Sequence, residues 1–462
     1  MHVSPWQRLL EQFSTSLVRH HVWVLAGILG MGLILRIPVC LREHPDTSMQ
    51  QLDDGIEYLA QARSILNGKL DGHPRNYQYI RSPGYALFLL PFEWLTPQEG
   101  REWTPSAKFN LDPPVRISTG MFRSIQAVQC FLSVATALLV GRIAHQMAGP
   151  IAGIVGTALT AWNPFILSFS GFVLSETLFL FLVWLSLHEL LRYSANATST
   201  RWRPLVSASL ALTAGCLVRP NLQASLPIAA IWVGWIEWRR CGRWLPTLGA
   251  MTLMTVLVSA FLLPLMIRNK RVHGELNLSP FYATAIFGQG HSPYYLKALT
   301  ATNNEEYSQS LHTLFTQSRL DSPIPKSAWL DEPRRFFNES RGEWWRLQWL
   351  KTKSFWRPWL NPTVFSRPKV LLSAVAVVPI FIGAFCSFFI PAIRRHPLFP
   401  LLWAMAMVSY LIGGVAFTAS NRFRIPFLDV SFIVLTAAVL VTLLNRVVPG
   451  TPPATSPKPP TP

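Results

Sequence analysis

The stretch Asp53-Asp54-Gly55-Ile56-Glu57-Tyr58 puts three carboxylates into five residues, directly after the apolar run from Val22 to Leu41. A carboxylate at a dry membrane edge can have a raised pKa and take a proton from an attacking group. The bland alternative is a solvated acidic turn. What distinguishes the two is the company this stretch keeps. Arg81 precedes Ser82-Pro83-Gly84-Tyr85, Arg123 opens the second apolar run and Arg219 closes the fifth. Arg268 follows the seventh run, and Arg422 and Arg424 open the last. A charge beside hydrocarbon is costly unless it is partnered, and the guanidinium fork fits phosphate oxygens. The arginines therefore point to an anion site for a phosphate carried on a lipid. Against this stands the reading in which each arginine snorkels to headgroups on its own. Glu176, in Ser175-Glu176-Thr177, is a further ionisable group near such a helix end. It can pair with one of the arginines or shape the site.

A base facing a lipid phosphate suits one reaction class. An acceptor hydroxyl gives its proton to the carboxylate and attacks the anomeric carbon of a sugar. The lipid phosphate leaves with its charge held by arginine. A single displacement inverts the anomeric centre. One base suffices, because the leaving phosphate needs no proton.

The elements that must hold these residues are membrane helices. The chain has 462 residues, 50% of them hydrophobic and only 14% charged, against roughly 25% charged in a soluble domain. Its mean hydropathy is +0.27. The apolar runs 22–41, 121–147, 150–168, 171–192, 204–220, 221–238, 244–267, 369–393, 397–417 and 424–444 predict an all-α polytopic membrane protein with about ten spans. The run 82–95 is short and holds Pro83 and Pro91, so it reads as a juxtamembrane segment. Arg192, Arg201 and Arg203 crowd one short loop, Arg239, Arg240 and Arg243 another, and Arg394 with Arg395 a third. The positive-inside rule puts all three loops in the cytoplasm.

With the N-terminus 1–21 also inside, 22–267 becomes an N-terminal membrane region whose outer loop, 42–120, carries the acidic motif. A large outer (periplasmic) loop follows over 268–368, then C-terminal membrane helices over 369–444. The Pro-rich end 445–462 reads as a disordered cytoplasmic tail. No internal repeat is visible. Tryptophans and basic residues from Glu343 to Leu360 suit an interfacial anchor, or a lid over a lipid substrate. The net charge of +18 stands in no isolated basic run, which argues against a nucleic-acid partner. The five cysteines form no CxxC pair and predict neither a disulfide framework nor a zinc site.

Several short motifs then resemble one family. Asp54-Gly55-Ile56-Glu57-Tyr58, continuing to Ala62 and Gly68, is similar to the Asp-x-x-x-Tyr pattern of the GT-C superfamily of polytopic glycosyltransferases, in its protein O-mannosyltransferase and aminoarabinose transferase branch. Arg81-Ser82-Pro83-Gly84-Tyr85 resembles the basic-then-Pro-Tyr motif of that family. Asn163-Pro164 with Ser175-Glu176-Thr177-Leu178-Phe179 resembles its Pro and Ser-Glu-x-Leu-Phe signature. Pro264 with Arg268-Asn269 and Gly274 resembles the entry to its large outer loop, and Arg422-Phe423-Arg424-Ile425-Pro426 its Arg-Tyr-Arg-Leu-Pro motif. The marks run in family order over nearly the whole chain.

The resemblance implies a GT-C fold at the inner (plasma) membrane, with the site facing the periplasm or exterior. It also implies a polyprenyl-phosphate-linked sugar donor and a hydroxyl acceptor on a protein, lipid or glycan. It assigns Asp54 as the catalytic carboxylate, with Asp53 as the rival that the doublet leaves open. It makes Arg81 and Arg268 contacts to the donor phosphate. The arginines at helix ends add Arg422 and Arg424 as candidate phosphate contacts, with Tyr58, Tyr85, Glu176, Arg123 and Arg219 as candidate supporting residues. Ile80 stands where the family has a residue resembling a metal ligand, so a divalent metal remains an open requirement. The reading from another class is a transporter or flippase of lipid-linked saccharide. That would call for ionisable groups near the midplane on broken, repeated helices.

Overall fold

The computed structural model describes residues 15–43, 53–68, 81–95, 117–195, 202–279, 282–317 and 326–447. The Pro-rich tail from Pro449, the first residues and much of the first loop lie outside the described residues. All regular structure among the described residues is helical. The chain runs through α1 (His21–Arg42), α2 (Asp53–Leu66), α3 (Gly84–Leu95), α4 (Thr119–Ala148), α5 (Pro150–Ala161), α6 (Pro164–Phe169) and α7 (Glu176–Ala195). Next come α8 (Trp202–Val218), a 3-10 turn (Pro220–Ser225), α9 (Leu226–Cys241) and α10 (Trp244–His273).

A layer of five shorter helices follows: α11 (Tyr282–Gly290), α12 (Pro293–Thr300), α13 (Asn304–Gln317), α14 (Lys326–Glu339) and α15 (Arg341–Trp356). The chain ends with α16 (Arg367–Cys386), α17 (Pro391–Arg394), α18 (Leu398–Tyr410) and α19 (Asn421–Arg424), then α20 (Val430–Val447). Wider π-wound stretches, Leu411–Ala416 and Ile425–Asp429, flank α19.

Seven of these helices are long and apolar enough to cross a membrane: His21–Arg42, Thr119–Ala148, Glu176–Ala195, Trp244–His273, Arg367–Phe389, Leu398–Ala416 and Arg422–Arg446. The other three runs expected to span are helical but shorter. The run 150–168 is split into α5 and α6: Pro164 lacks the amide that a continuing helix would bond, and Asn163 caps the new helix, its Oδ1 accepting from the Phe165 amide at 3.0 Å. The runs 204–220 and 221–238 become α8 and α9, of 17 and 16 residues, separated by the turn at Pro220. The run 82–95 contains the 12-residue α3.

The long helices show two kinds of surface. α20 is the centre of the bundle: Val430, Phe432, Ile433, Leu435, Ala437 and Ala438 are fully buried. By contrast α10 exposes Leu245, Leu248, Val256, Phe261 and Ile267, a face that lipid would cover in a membrane. Small residues let backbones approach, as is usual between membrane helices. Gly383 of α16 sits on Thr436 of α20, whose Oγ1 donates to the Ile380 carbonyl at 2.7 Å. A Cβ at Gly383 would lie 2.6 Å from that hydroxyl oxygen. Gly383→Val is therefore expected to destabilise the protein by about 1–3 kcal/mol through overpacking, seen as a lower unfolding midpoint in detergent. An unchanged midpoint would mean that this crossing is looser than described.

Candidate functional site

The first turns of α2 present Asp54, Glu57, Tyr58 and Gln61 at helical spacing on one face. Glu57, Tyr58 and Gln61 are buried and Asp54 is only partly exposed. Against this face lies the segment that opens α3. Arg81 donates from Nη2 to Asp54 Oδ1 at 2.6 Å and from Nε to Glu57. Its guanidinium lies 5.6 Å from the centre of the Tyr58 ring. Its carbonyl accepts from Gln61 Nε2 at 2.9 Å.

The segment is anchored on the end of α8. Ser82 Oγ donates to the Leu217 carbonyl, and Gly84 lies on the Leu217–Val218 backbone so closely that a Cβ would collide with it. Gly84→Ala is accordingly expected to push Arg81 off Asp54. Activity should fall by more than tenfold while the protein still folds. Full activity in a correctly folded Gly84→Ala protein would show that Arg81 needs no such anchor.

Two more arginines close the network. Arg422 of α19 donates from Nη2 to the other Asp54 oxygen at 2.7 Å and from Nε to Glu176 Oε1. Arg219, just past α8, reaches the same Glu176 oxygen at 3.2 Å and the Arg422 carbonyl at 3.5 Å. It lies 5.7 Å from the ring centres of both Phe179 and Phe423. The result is an alternating chain, Glu57–Arg81–Asp54–Arg422–Glu176–Arg219, built from five separate segments. Among the described residues its three carboxylates and three guanidiniums balance, which makes such a cluster tolerable in a low dielectric.

The Glu176 side chain is 0% exposed and those of Arg81 and Arg219 11%, whereas Asp54 keeps 22% and Arg422 32%. The network therefore opens to its surroundings at the Asp54–Arg422 contact. Burial alone would push the Asp54 carboxyl up; the guanidinium charges of Arg81 and Arg422 outweigh it and hold the carboxyl well below its ordinary range.

Tyrosines frame the site. Tyr58 donates to Ser175 Oγ at 3.2 Å and meets Tyr85 edge-on, with ring centres 4.9 Å apart. Tyr85 donates to Gln129 Oε1 at 3.0 Å and so fastens α3 to α4. The described members of the basic clusters, such as Arg192, Arg203, Arg239 and Arg240, lie at the far end of the same helices. Arg240 reaches the Tyr193 carbonyl at 2.9 Å, near the end of α7 opposite Glu176.

Other sequence candidates are placed elsewhere. Arg424 is fully buried, with Nε 2.8 Å from Asp429 Oδ1 and Nη1 on the carbonyls of Phe355 and Arg357. The structure thus puts it in the core as a brace between α15 and the start of α20, not beside Asp54. Arg123 holds the end of α1 through the Cys40 carbonyl and bonds Gln126 Oε1 at 2.7 Å. Arg268 donates to Asn269 Oδ1 at 3.2 Å at the end of α10, and its described contacts do not include Asp54, Glu57 or Glu176. Asp53 begins α2, and its side chain lies outside the described residues.

The sequence reading counted Glu57 among the three carboxylates but gave it no partner; it is the second partner of Arg81. One further feature was missed altogether. Lys351 of α15 is fully buried, 2.7 Å from the Val415 carbonyl and 3.5 Å from His291 Nε2. Burial pushes Lys351 down to about 7, and burial together with the Lys351 charge pushes His291 down to about 4. Tyr295 donates to the Ala419 carbonyl at 3.2 Å. Together these side chains tie the layer of shorter helices to the strap that leads into Arg422.

The fold is similar to that of an archaeal oligosaccharyltransferase. The structure of AglB from Archaeoglobus fulgidus in complex with an inhibitory peptide and a dolichol-phosphate matches with a TM-score of 0.51 at 12% identity, over 92% of this chain and 51% of that one. The Archaeoglobus fulgidus oligosaccharyltransferase tethered with an acceptor peptide containing the NVT sequon matches with a TM-score of 0.52 at 13% identity, over 92% and 50%. Its complex with Zn and sulfate gives 0.50 at 13%, over 91% and 50%. The chain thus spans about half the length of the structures it matches. At such identities the likeness is one of fold. No protein-family model and no curated protein matches the chain.

Proposed function

We propose that the chain is a GT-C-type membrane glycosyltransferase. It moves a sugar from a polyprenyl-phosphate donor to a hydroxyl acceptor on a protein, lipid or glycan. The observation that carries this reading is the Asp54 carboxylate clamped between Arg81 and Arg422 at the open point of a buried ion network. The fold likeness supports it, because one matched oligosaccharyltransferase structure holds a dolichol-phosphate. α5, α8 and α9 then complete about ten crossings, as tilted or shortened spans. The basic clusters at the far helix ends favour an outer, periplasmic position for the site at the inner membrane, with 268–368 lying over it.

In this mechanism the donor phosphate enters at the Asp54–Arg422 contact and draws the two guanidinium forks onto its own oxygens. Asp54 loses both partners at that moment, and its pKa rises towards that of a working base. An acceptor O–H then gives its proton to Asp54 while its oxygen bonds to the anomeric carbon. The bond from that carbon to the phosphate oxygen breaks, and the charge left on the phosphate is held by Arg81 and Arg422. Glu176 and Arg219 keep Arg422 in place.

Among the described residues no three His, Cys, Asp or Glu side chains are gathered to hold an ion. Each Asp54 oxygen already faces a guanidinium, so a divalent ion on Asp54 would compete with Arg81 and Arg422 for the same two oxygens.

The test is a transfer assay in membranes containing the purified protein. A panel of radiolabelled polyprenyl-phosphate sugars is offered to cell-envelope acceptors, with Asp54→Asn and Arg81→Ala alongside. Transfer from one donor, lost in both variants, is expected. Specific binding of a lipid-linked sugar with no transfer from any donor would overturn the enzyme reading in favour of transport.

A further inference from the structure

Cys40 in the last turns of α1 and Cys130 in α4 stand 90 residues apart in the chain, yet their Sγ atoms are 3.5 Å apart. Both are half-buried, and Cys40 Sγ also lies 3.8 Å from the Ser170 carbonyl. The two antiparallel helices are fixed in register on either side of the pair. One turn further into the bundle, the buried Arg36 of α1 donates to Ser133 Oγ of α4 at 2.7 Å, and to the carbonyls of Gly32 and Ala161 at 2.7 and 3.1 Å. One turn outward, Arg123 and Gln126 of α4 donate to the Cys40 carbonyl itself, the latter at 3.3 Å. Closing the sulfur gap to a bond of about 2 Å therefore needs side-chain rotation and a small adjustment, not a slide of one helix along the other.

We infer that Cys40 and Cys130 are a redox modification site that closes into an intrachain disulfide between α1 and α4. The co-reactant is a small-molecule disulfide. The thiolate of one cysteine attacks it, forming a mixed disulfide and releasing one thiol. The thiolate of the other cysteine attacks the protein sulfur of that mixed disulfide and releases the second thiol. Two cysteine thiols are oxidised, one disulfide reagent is reduced to two thiols, and the two cysteine protons go to the released thiolates.

The pair lies at the end of the bundle that carries Asp54, since α1 ends at Arg42 and the chain next enters α2 at Asp53. The crosslink thus fastens the helix from which the Asp54 segment departs. The other thiols lack this geometry: Cys216 is buried inside α8, Cys241 faces the Glu237 and Arg243 carbonyls, and Cys386 is exposed at the end of α16. The inference does not depend on the transfer reading, because a thiol count is indifferent to whether sugar moves.

The full chain in detergent is incubated either with oxidised glutathione or with a phosphine reductant, then denatured and labelled with a mass-tagging maleimide. The reduced protein is expected to take five tags, one per cysteine. The oxidised protein is expected to lose two tags, leaving Cys216, Cys241 and Cys386 to react. Its digest should contain one linked pair of peptides bearing Cys40 and Cys130. In Cys130→Ser the linked pair should vanish, while Cys216, Cys241 and Cys386 should stay as reactive as in the unmodified chain. Five tags after oxidation, stable glutathione adducts on Cys40 or Cys130, or a linkage through Cys386 would each overturn the inference. Peptide mapping of the unmodified chain decides the matter even if Cys130→Ser folds poorly.

Discussion

Asp54→Asn is expected to lower the turnover number by about 10²- to 10⁴-fold, the usual contribution of a positioned general base, without weakening donor binding. The amide keeps the shape of the carboxylate, and its carbonyl oxygen can still accept from one of the two guanidiniums now paired with Asp54 Oδ1 and Oδ2. What it removes is the proton acceptor and one negative charge. With that charge gone, Arg81 and Arg422 face an incoming phosphate with less competition, so donor affinity should hold or rise. The measurement is turnover and donor dissociation constant on the same preparation. A merely structural carboxylate predicts the opposite pattern, with binding and turnover lost together as the network collapses. The doublet is resolved by the neighbour: Asp53→Asn should retain most of the activity. If Asp54→Asn stays active and Asp53→Asn does not, the base has been assigned one residue too far along.

Much of this site was legible because helical spacing is a local property. Asp54, Glu57, Tyr58 and Gln61 fall on one face of any helix that contains them, and Arg81 was conspicuous as a charge beside an apolar segment. Arg219, Arg422 and Glu176 were legible as charges at helix ends that needed partners. The sequence could not say that they pair with one another rather than with headgroups, since Arg422 and Asp54 are 368 residues apart in the chain. Arg424 was misread for a geometric reason. Residues two apart do not share a helix face, and the backbone widens into the π-wound stretch directly after Arg424. Arg422 therefore turns to Asp54 while Arg424 turns inward to Asp429. Hydropathy does not register backbone breaks: 150–168 is one apolar run in composition but two helices once Asn163-Pro164 is placed. The thiol pair was out of reach for the same reason as the arginine pairings, because only packing brings α1 against α4.

Arg422→Ala should reduce turnover by about 10²- to 10³-fold, the cost of removing one preorganised donor from a developing anion, and should also move the acid limb of the pH profile. The free enzyme governs kcat/KM and the donor complex governs kcat. In the free enzyme, burial pushes Asp54 up but Arg81 and Arg422 hold it below its ordinary range. It is therefore ionised throughout the neutral range, and the acid limb of kcat/KM lies below the normal titration of an aspartate. In the complex the donor phosphate competes for both guanidiniums, so the acid limb of kcat should lie at higher pH than that of kcat/KM. Arg422→Ala removes one of the two charges that depress Asp54 in the free enzyme, so its kcat/KM limb should shift upward, towards the kcat limb. Arg422→Lys should restore little, because a single ammonium cannot span Asp54 Oδ2 and Glu176 Oε1 as the fork does. Coincident acid limbs for kcat and kcat/KM in the unmodified protein, or an Arg422→Ala profile that does not move, would mean that the donor phosphate does not draw the arginines from Asp54. The base would then have to work while fully clamped, which its depressed pKa argues against.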